Sequence, residues 1–146
     1  MRNKIYDCIT FFDNNFMFNL RYNILKDYVD YFVICDSIYD HRGNPKKKFF
    51  FQNKEYDNEK IKYLVLEKPF PKNTSIWENQ AIQRKFLLKS LDFVNSEDYI
   101  FFSDPDEIPR PEVLINFNLN KKYGIFMQKC FNYKFNLFNE HESPWE

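Results

Sequence analysis

The segment Phe101-Phe102-Ser103-Asp104-Pro105-Asp106-Glu107-Ile108-Pro109 places three carboxylates, Asp104, Asp106 and Glu107, within four positions. Like charges at that spacing repel, so the cluster costs free energy unless a cation or hydrogen-bond donors compensate it. Pro105 fixes its own φ and pushes Asp104 towards extended backbone, which sets the two aspartates on a stiff corner. Hard carboxylate oxygens suit Mg²⁺ or Mn²⁺, and a cation held by one or two of them keeps positions for phosphate oxygens. The chemistry on offer is a diphosphate clamp that neutralises charge on a departing nucleoside diphosphate. The same residues also read as a solvated acidic turn before the next helix, which the helix dipole favours. Their place directly after an apolar, strand-like run favours the clamp.

Something must hold that corner in place, and the periodicity of the chain alternates between strand and helix. Lys4 to Phe12 opens as a strand. Phe18 to Tyr28 has Leu20, Ile24, Leu25 and Tyr28 at the spacing of one helical face. Asp30 to Ser37 contains YFVIC, a short buried strand, and a polar loop follows from Ile38 to Lys48 with turn chemistry at His41-Arg42-Gly43-Asn44-Pro45. Ile61 to Glu67 is a further strand, and Pro69 and Pro71 end it. Ser75-Ile76-Trp77-Glu78 has the capping-box pattern and opens a helix to about Phe93, with Ile82, Phe86, Leu87 and Leu91 inward. Tyr99 to Ser103 is a fourth strand, Pro111 to Ile115 a short helix, and Tyr123 to Met127 a fifth strand. This order predicts an α/β fold around a mainly parallel sheet with right-handed crossovers. Ligands of such sheets sit outside the carboxyl ends of the strands. That rim comprises Phe11 to Asn14, Asp36-Ser37, Lys68 to Ser75 and Asp104 to Glu107.

Other rim residues carry weaker signals. Asp36 ends the second strand, where a carboxylate accepts hydrogen bonds from a ribose or a base, or serves only as a turn residue. Arg84 lies within reach of a phosphate if its helix face turns to the rim, and otherwise faces solvent. Lys46-Lys47-Lys48 reads as a solvated loop. Trp77 is either core or a sugar platform, and the local pattern does not decide between them.

Composition narrows the function classes. Lys and Arg number 21 against 21 Asp and Glu, so the basic surplus of a sequence-independent nucleic-acid binder is missing. No apolar run is long enough to span a bilayer, and no signal-peptide core is present at the start. The three cysteines, Cys8, Cys35 and Cys130, are far apart, which predicts reduced thiols rather than a disulfide framework or zinc site. The two histidines, His41 and His141, have no ligand spacing. With 18 Phe and 10 Tyr beside 2 Gly, the aromatic excess fits Phe standing in for Leu in the core better than a stacking surface.

The blocks IYDCITFFDN, LRYNILKDYVDYFVICDS, WENQAIQR and YIFFSDPDEIPRPEVL occur here in that order between Ile5 and Leu114, within a stretch of similarity from Lys4 to about Leu137. Together they resemble glycosyltransferase family 17, the family of the β-1,4-mannosyl-glycoprotein N-acetylglucosaminyltransferases. The resemblance implies a GT-A-type, Rossmann-like fold as one nucleotide-sugar-binding domain over residues 1–146. It further implies a UDP-sugar donor carrying N-acetylglucosamine, a glycan acceptor and inversion at the anomeric carbon. It places Mn²⁺ or Mg²⁺ and the diphosphate on Asp104 and Asp106, with Glu107 beside them as a third metal-site carboxylate. Asn79 and Arg84 match the family's helix before the acidic motif and are expected to line the donor pocket. Asp36 stands where the family usually carries Glu, and keeps the nucleoside contact plausible.

Two departures shape the expectation. The animal enzymes carry a membrane anchor and a lumenal stem; without them the expected setting is the cytoplasm of a microbe or virus, peripheral to a membrane at most. Family members also run longer, so the acceptor portion is expected in further sequence, and with it the catalytic base; Glu140 and Glu142 are base candidates on position alone. A nucleotide-sugar-binding module without turnover is the alternative function. A phosphohydrolase is disfavoured, because its acidic pair follows the first strand and not the fourth.

Overall fold

The stretches IYDCIT and YFVICDS lack a clean alternation of polar and apolar residues, the mark of strands covered on both faces. In the structure, a computed structural model that describes residues 3–47, 49, 55–57, 59–116, 123–131 and 137–141, they form β1 (Ile5–Thr10) and β2 (Tyr31–Ser37). The remaining elements are α1 (Asn15–Leu25), β3 (Ile61–Leu66), α2 (Ile76–Lys89), β4 (Tyr99–Ser103) and α3 (Pro111–Ile115). The four strands pair in parallel in the order β3-β2-β1-β4, with Cys8 opposite Val33 on one side and Phe102 on the other. This is the expected α/β, Rossmann-like sheet. The chain steps from β1 to β2 to β3 and then returns to the far side of β1, so the strand order reverses between β1 and β4. Phe11–Asn14 and Asp104–Asp106 follow the carboxyl ends of those two strands, where sheets of this kind bind ligands.

Two compact units divide the chain, one ending at Asp106 and one beginning at Glu107. The sheet, α1 and α2 belong to the first. The second holds α3 and an antiparallel bridge between Phe131 and Phe138, whose rings lie 5.6 Å apart. The fifth strand expected over Tyr123 to Met127 does not form. Tyr123, Ile125 and Met127 are exposed, and a β-prone run becomes a strand only where its side chains pack on a half-buried sheet surface.

Each sheet face has its own core. On one, Tyr6, Cys8, Val33 and Cys35 meet Leu87 of α2 and Leu91 just beyond it. On the other, Phe18 and Tyr22 of α1 meet Phe32 and Tyr56 with ring centroids 4.7 to 6.2 Å apart, in tilted and edge-on pairs. Aromatic rings therefore fill positions that Leu and Ile fill in most cores, as the composition suggested.

Both long helices differ from their sequence reading in the residues they bury. Helix α1 begins at Asn15 and buries Phe18, Arg21, Tyr22 and Leu25. Leu20 and Ile24, expected inside, are 39% and 36% exposed. The cause lies in β1, where Asp7 sits in the middle of a strand covered on both faces and Arg21 answers its charge. The inward face centres between Arg21 and Tyr22, with Phe18 and Leu25, and this leaves Leu20 and Ile24 beyond its edge. Helix α2 has the expected capping box: Glu78 N–H donates to Ser75 Oγ at 3.2 Å and Ser75 N–H to Glu78 Oε2 at 2.7 Å. It ends at Lys89, short of Phe93, and its fully buried residues are Asn79, Gln83 and Leu87, with Ile82 and Phe86 only partly covered. Its first half faces backbone carbonyls rather than apolar side chains, so amides are buried there.

The thiols follow from this burial. Removal from water disfavours the thiolate, so burial first and the neighbouring Asp36 second push Cys35 up to about 12, and Cys8 is raised too, chiefly by burial. An unfolded thiol titrates near 9.0. Folding keeps the proton on Cys35, so its stabilising contribution is full below pH 9.0 and is lost as pH rises towards about 12. Titration of the native protein with a thiol reagent at pH 8 should modify Cys130 and leave Cys8 and Cys35 untouched until denaturant is added. Rapid loss of all three thiols from the native protein contradicts the buried placement.

Candidate functional site

The corner after β4 is built from below by one guanidinium. Arg21 Nε donates to Asp7 Oδ2 at 2.7 Å and its Nη2 to Asp7 Oδ1 at 2.6 Å, a two-pronged pair with both side chains out of solvent. The same Nη2 donates to Ser103 Oγ at 2.7 Å. Nη1 donates to the carbonyl oxygens of Asp104 at 3.1 Å and Pro105 at 3.4 Å. One side chain thus fastens β1, the last residue of β4 and the backbone on which the aspartates stand. Main-chain carbonyls turned inward to Arg21 leave the carboxylates to the outer side.

Above that brace the structure brings two of the expected residues together. Arg84 Nη2 donates to Asp104 Oδ1 at 2.7 Å, and the two side chains are 37% and 35% exposed. Phe102 lies beneath, its ring centre 5.8 Å from Arg84 Cζ. Arg84 Nε is buried and has no hydrogen-bond partner. Asp106 is exposed, and Glu107 begins the second unit. Among the described residues, no group of three or more His, Cys, Asp or Glu side chains is placed to hold a metal ion.

Asp36 lies at the end of β2 as expected, but it is fully buried and well supplied with donors. It accepts from its neighbour Ser37 N–H at 2.7 Å, from Tyr63 Oη at 2.9 Å, and from Lys46 Nζ. Lys46, expected in a solvated run, is only 5% exposed. Its ammonium sits 5.3 to 5.5 Å from the ring centres of Phe11, Phe12 and Phe49. A partner carboxylate and three aromatic faces compensate the burial of that charge. Lys47 is exposed, in line with the expectation, and Lys48 lies outside the described residues.

Asn79 is also buried and acts on the loop between β2 and β3. It donates from Nδ2 to the His41 carbonyl at 2.9 Å and accepts from Thr74 Oγ1 at 2.6 Å. One turn on, Gln83 donates from Nε2 to the Cys35 carbonyl at 2.8 Å. Its Oε1 is then the acceptor at 2.7 Å from His41 Nε2, which therefore carries the proton. His41 stacks on Phe12 at 5.9 Å and meets Phe70 at 6.3 Å. Asp40 closes the loop by accepting from the N–H groups of Arg42 at 2.9 Å and Asn44 at 2.8 Å, and Gly43 takes the φ of +86° the turn requires. Trp77 points to solvent at 77% exposure and is no part of the core. Of the base candidates, Glu140 is exposed in the second unit and Glu142 lies outside the described residues.

Arg21, Asp7, Gln83 and Lys46 escaped the sequence reading. The detectable signal was Asp7, a charge inside an otherwise apolar strand, which demands a cation from the helix that follows.

A four-stranded parallel sheet flanked by helices, with a braced acidic turn at its strand-order reversal, defines a Rossmann-like α/β protein. Residues 1–145 match glycosyltransferase family 17, and the chain belongs to that family of glycosyltransferases. No curated protein and no solved structure gives a significant match. Among the described residues no helix is long and apolar enough to cross a membrane.

The brace is testable through stability. Removing one partner of a buried ion pair leaves the other charge uncompensated, so Asp7→Asn should lower the unfolding free energy by about 3–5 kcal/mol in urea titrations. Asp7→Leu combined with Arg21→Met should recover much of that loss. A single variant within about 1 kcal/mol of the parent contradicts the role given to the pair.

Proposed function

We propose that the protein transfers N-acetylglucosamine from a UDP-linked donor to a glycan acceptor, with inversion, at the corner formed by Asp104 and Asp106. What supports this reading is the Arg21-fastened acidic turn at the strand-order reversal, in a chain of glycosyltransferase family 17. A protein-only metal site needs more ligands than this corner offers. A cation that arrives with a diphosphate needs only one or two carboxylates, since phosphate oxygens and water complete its shell. Asp104 and Asp106 have the right donor type for that case, and Asp106 is exposed. Bound there, Mn²⁺ or Mg²⁺ would supply positive charge to the leaving diphosphate.

The chain's own residues divide the remaining work. Asp104 and Asp106 fix the diphosphate end, with Glu107 next in sequence. Arg84 adds a guanidinium to the same corner. The segment held by Asn79 and Gln83 forms the nucleoside side of the rim, with the buried Asp36 fixing the scaffold behind it. The acceptor hydroxyl attacks the anomeric carbon opposite the diphosphate. Its proton passes to a carboxylate base as the bond from the anomeric carbon to the diphosphate oxygen breaks and UDP leaves.

Calorimetric titration of UDP-GlcNAc should give tighter binding with Mn²⁺ than without it. The Asp104→Asn, Asp106→Asn double variant should lose at least about tenfold in affinity, or about 1.4 kcal/mol. Equal affinity in the double variant and the parent overturns the site. UDP release on adding an acceptor supports transfer, whereas donor binding without release reduces the protein to a binding module.

A further inference from the structure

We infer that Arg84 closes Asp104 against a cation until a diphosphate arrives, so that metal and donor bind as one coupled event. The inference rests on the reading above that Asp104 is a cation ligand. The guanidinium lies 2.7 Å from Asp104 Oδ1, so it occupies a ligand oxygen and puts like charge where the cation must come. The pair is partly exposed, at 37% and 35%, so solvent and ligands can reach it and the contact can be exchanged. The two arginines of this corner differ in how well they are satisfied. Arg21 spends its donors on Asp7, Ser103 and the carbonyls of Asp104 and Pro105. Arg84 keeps a buried Nε with no acceptor, although its Nη2 is engaged.

A buried N–H without a partner costs free energy that a suitable acceptor relieves. A diphosphate offers several adjacent oxygens, the two-pronged partner a guanidinium prefers over a single carboxylate oxygen. When Arg84 turns from Asp104 to a phosphate, two charges become available at once. The guanidinium meets the diphosphate, and Asp104 Oδ1 is released to the cation. By linkage, the factor by which UDP strengthens cation binding equals the factor by which the cation strengthens UDP binding.

The test measures Mn²⁺ binding directly, from the free-ion signal in electron paramagnetic resonance, with and without UDP. In the parent protein Mn²⁺ alone should bind weakly, and saturating UDP should tighten it by about tenfold or more. In Arg84→Met, Mn²⁺ without nucleotide should bind about tenfold tighter than in the parent, because its competitor for Asp104 is gone. The gain from UDP should shrink in step. Arg84→Lys keeps the charge without the fork and should fall between the two. Unchanged melting temperatures confirm that the variants fold. A merely structural Arg84 does not raise metal affinity when removed, so equal or weaker Mn²⁺ binding by Arg84→Met overturns the inference. If Asp104→Asn at saturating UDP binds Mn²⁺ as the parent does, the cation reading of the corner fails first and the inference with it, which separates the two failures.

Discussion

A carboxylate in the middle of a strand covered on both faces is untenable without a cation, and Asp7 obtains one from Arg21. The rest of the first unit is arranged around that pair. It lies on the inner face of α1 beside Phe18, Tyr22 and Leu25, and the packing of those residues with it leaves Leu20 and Ile24 outside. It ties the end of β4 to β1 through Ser103 Oγ, and it draws the Asp104 and Pro105 carbonyls inward. A hydrophobic pair of similar size could hold the helix to the sheet equally well. It could not grip three groups of the neighbouring turn, and that grip gives a buried guanidinium its value here.

Two carboxylates of the rim above this brace are paired. Asp36 is met by Lys46 and Tyr63, and Asp104 by Arg84. Helix α2 contributes a polar inner face in its first half, where Asn79 and Gln83 hold the His41 segment and the end of β2. On the proposed reading, a ligand at this rim enters by exchange of partners. Full burial makes Asp36 a fixed point of the scaffold, whereas partial exposure makes the Arg84–Asp104 contact the exchangeable one. This difference in accessibility separates the residues that hold the rim from those we propose to act in it.

Membership of glycosyltransferase family 17 is the ground on which we propose a common purpose for these parts. Glycosyl transfer needs a diphosphate held still while the bond to the sugar breaks, and an acidic corner with a rigid backbone is suited to that task. Rigidity is supplied twice, by Pro105 within the chain and by Arg21 from a neighbouring element.

The four strands, the capping box at Ser75, the short helix opening at Pro111 and the acidic turn were legible in the sequence, because each is written in a few adjacent residues: an apolar run, a cap, a ring, a cluster of charge. The inner faces of α1 and α2, the burial of Lys46 and the missing strand at Tyr123 to Met127 were not. Those depend on partners distant in the chain: Arg21 and Asp7 are 14 residues apart, Lys46 and Asp36 are 10, and Arg84 and Asp104 are 20. Hydrophobic periodicity assigns every charge to solvent and every apolar residue to the interior. Whether a charge is buried depends on a counter-charge that only the folded sheet brings within reach, and whether an apolar run becomes a strand depends on the surface its side chains can pack against. Local chemistry was therefore settled by the sequence, and the pairing of charges by the tertiary structure.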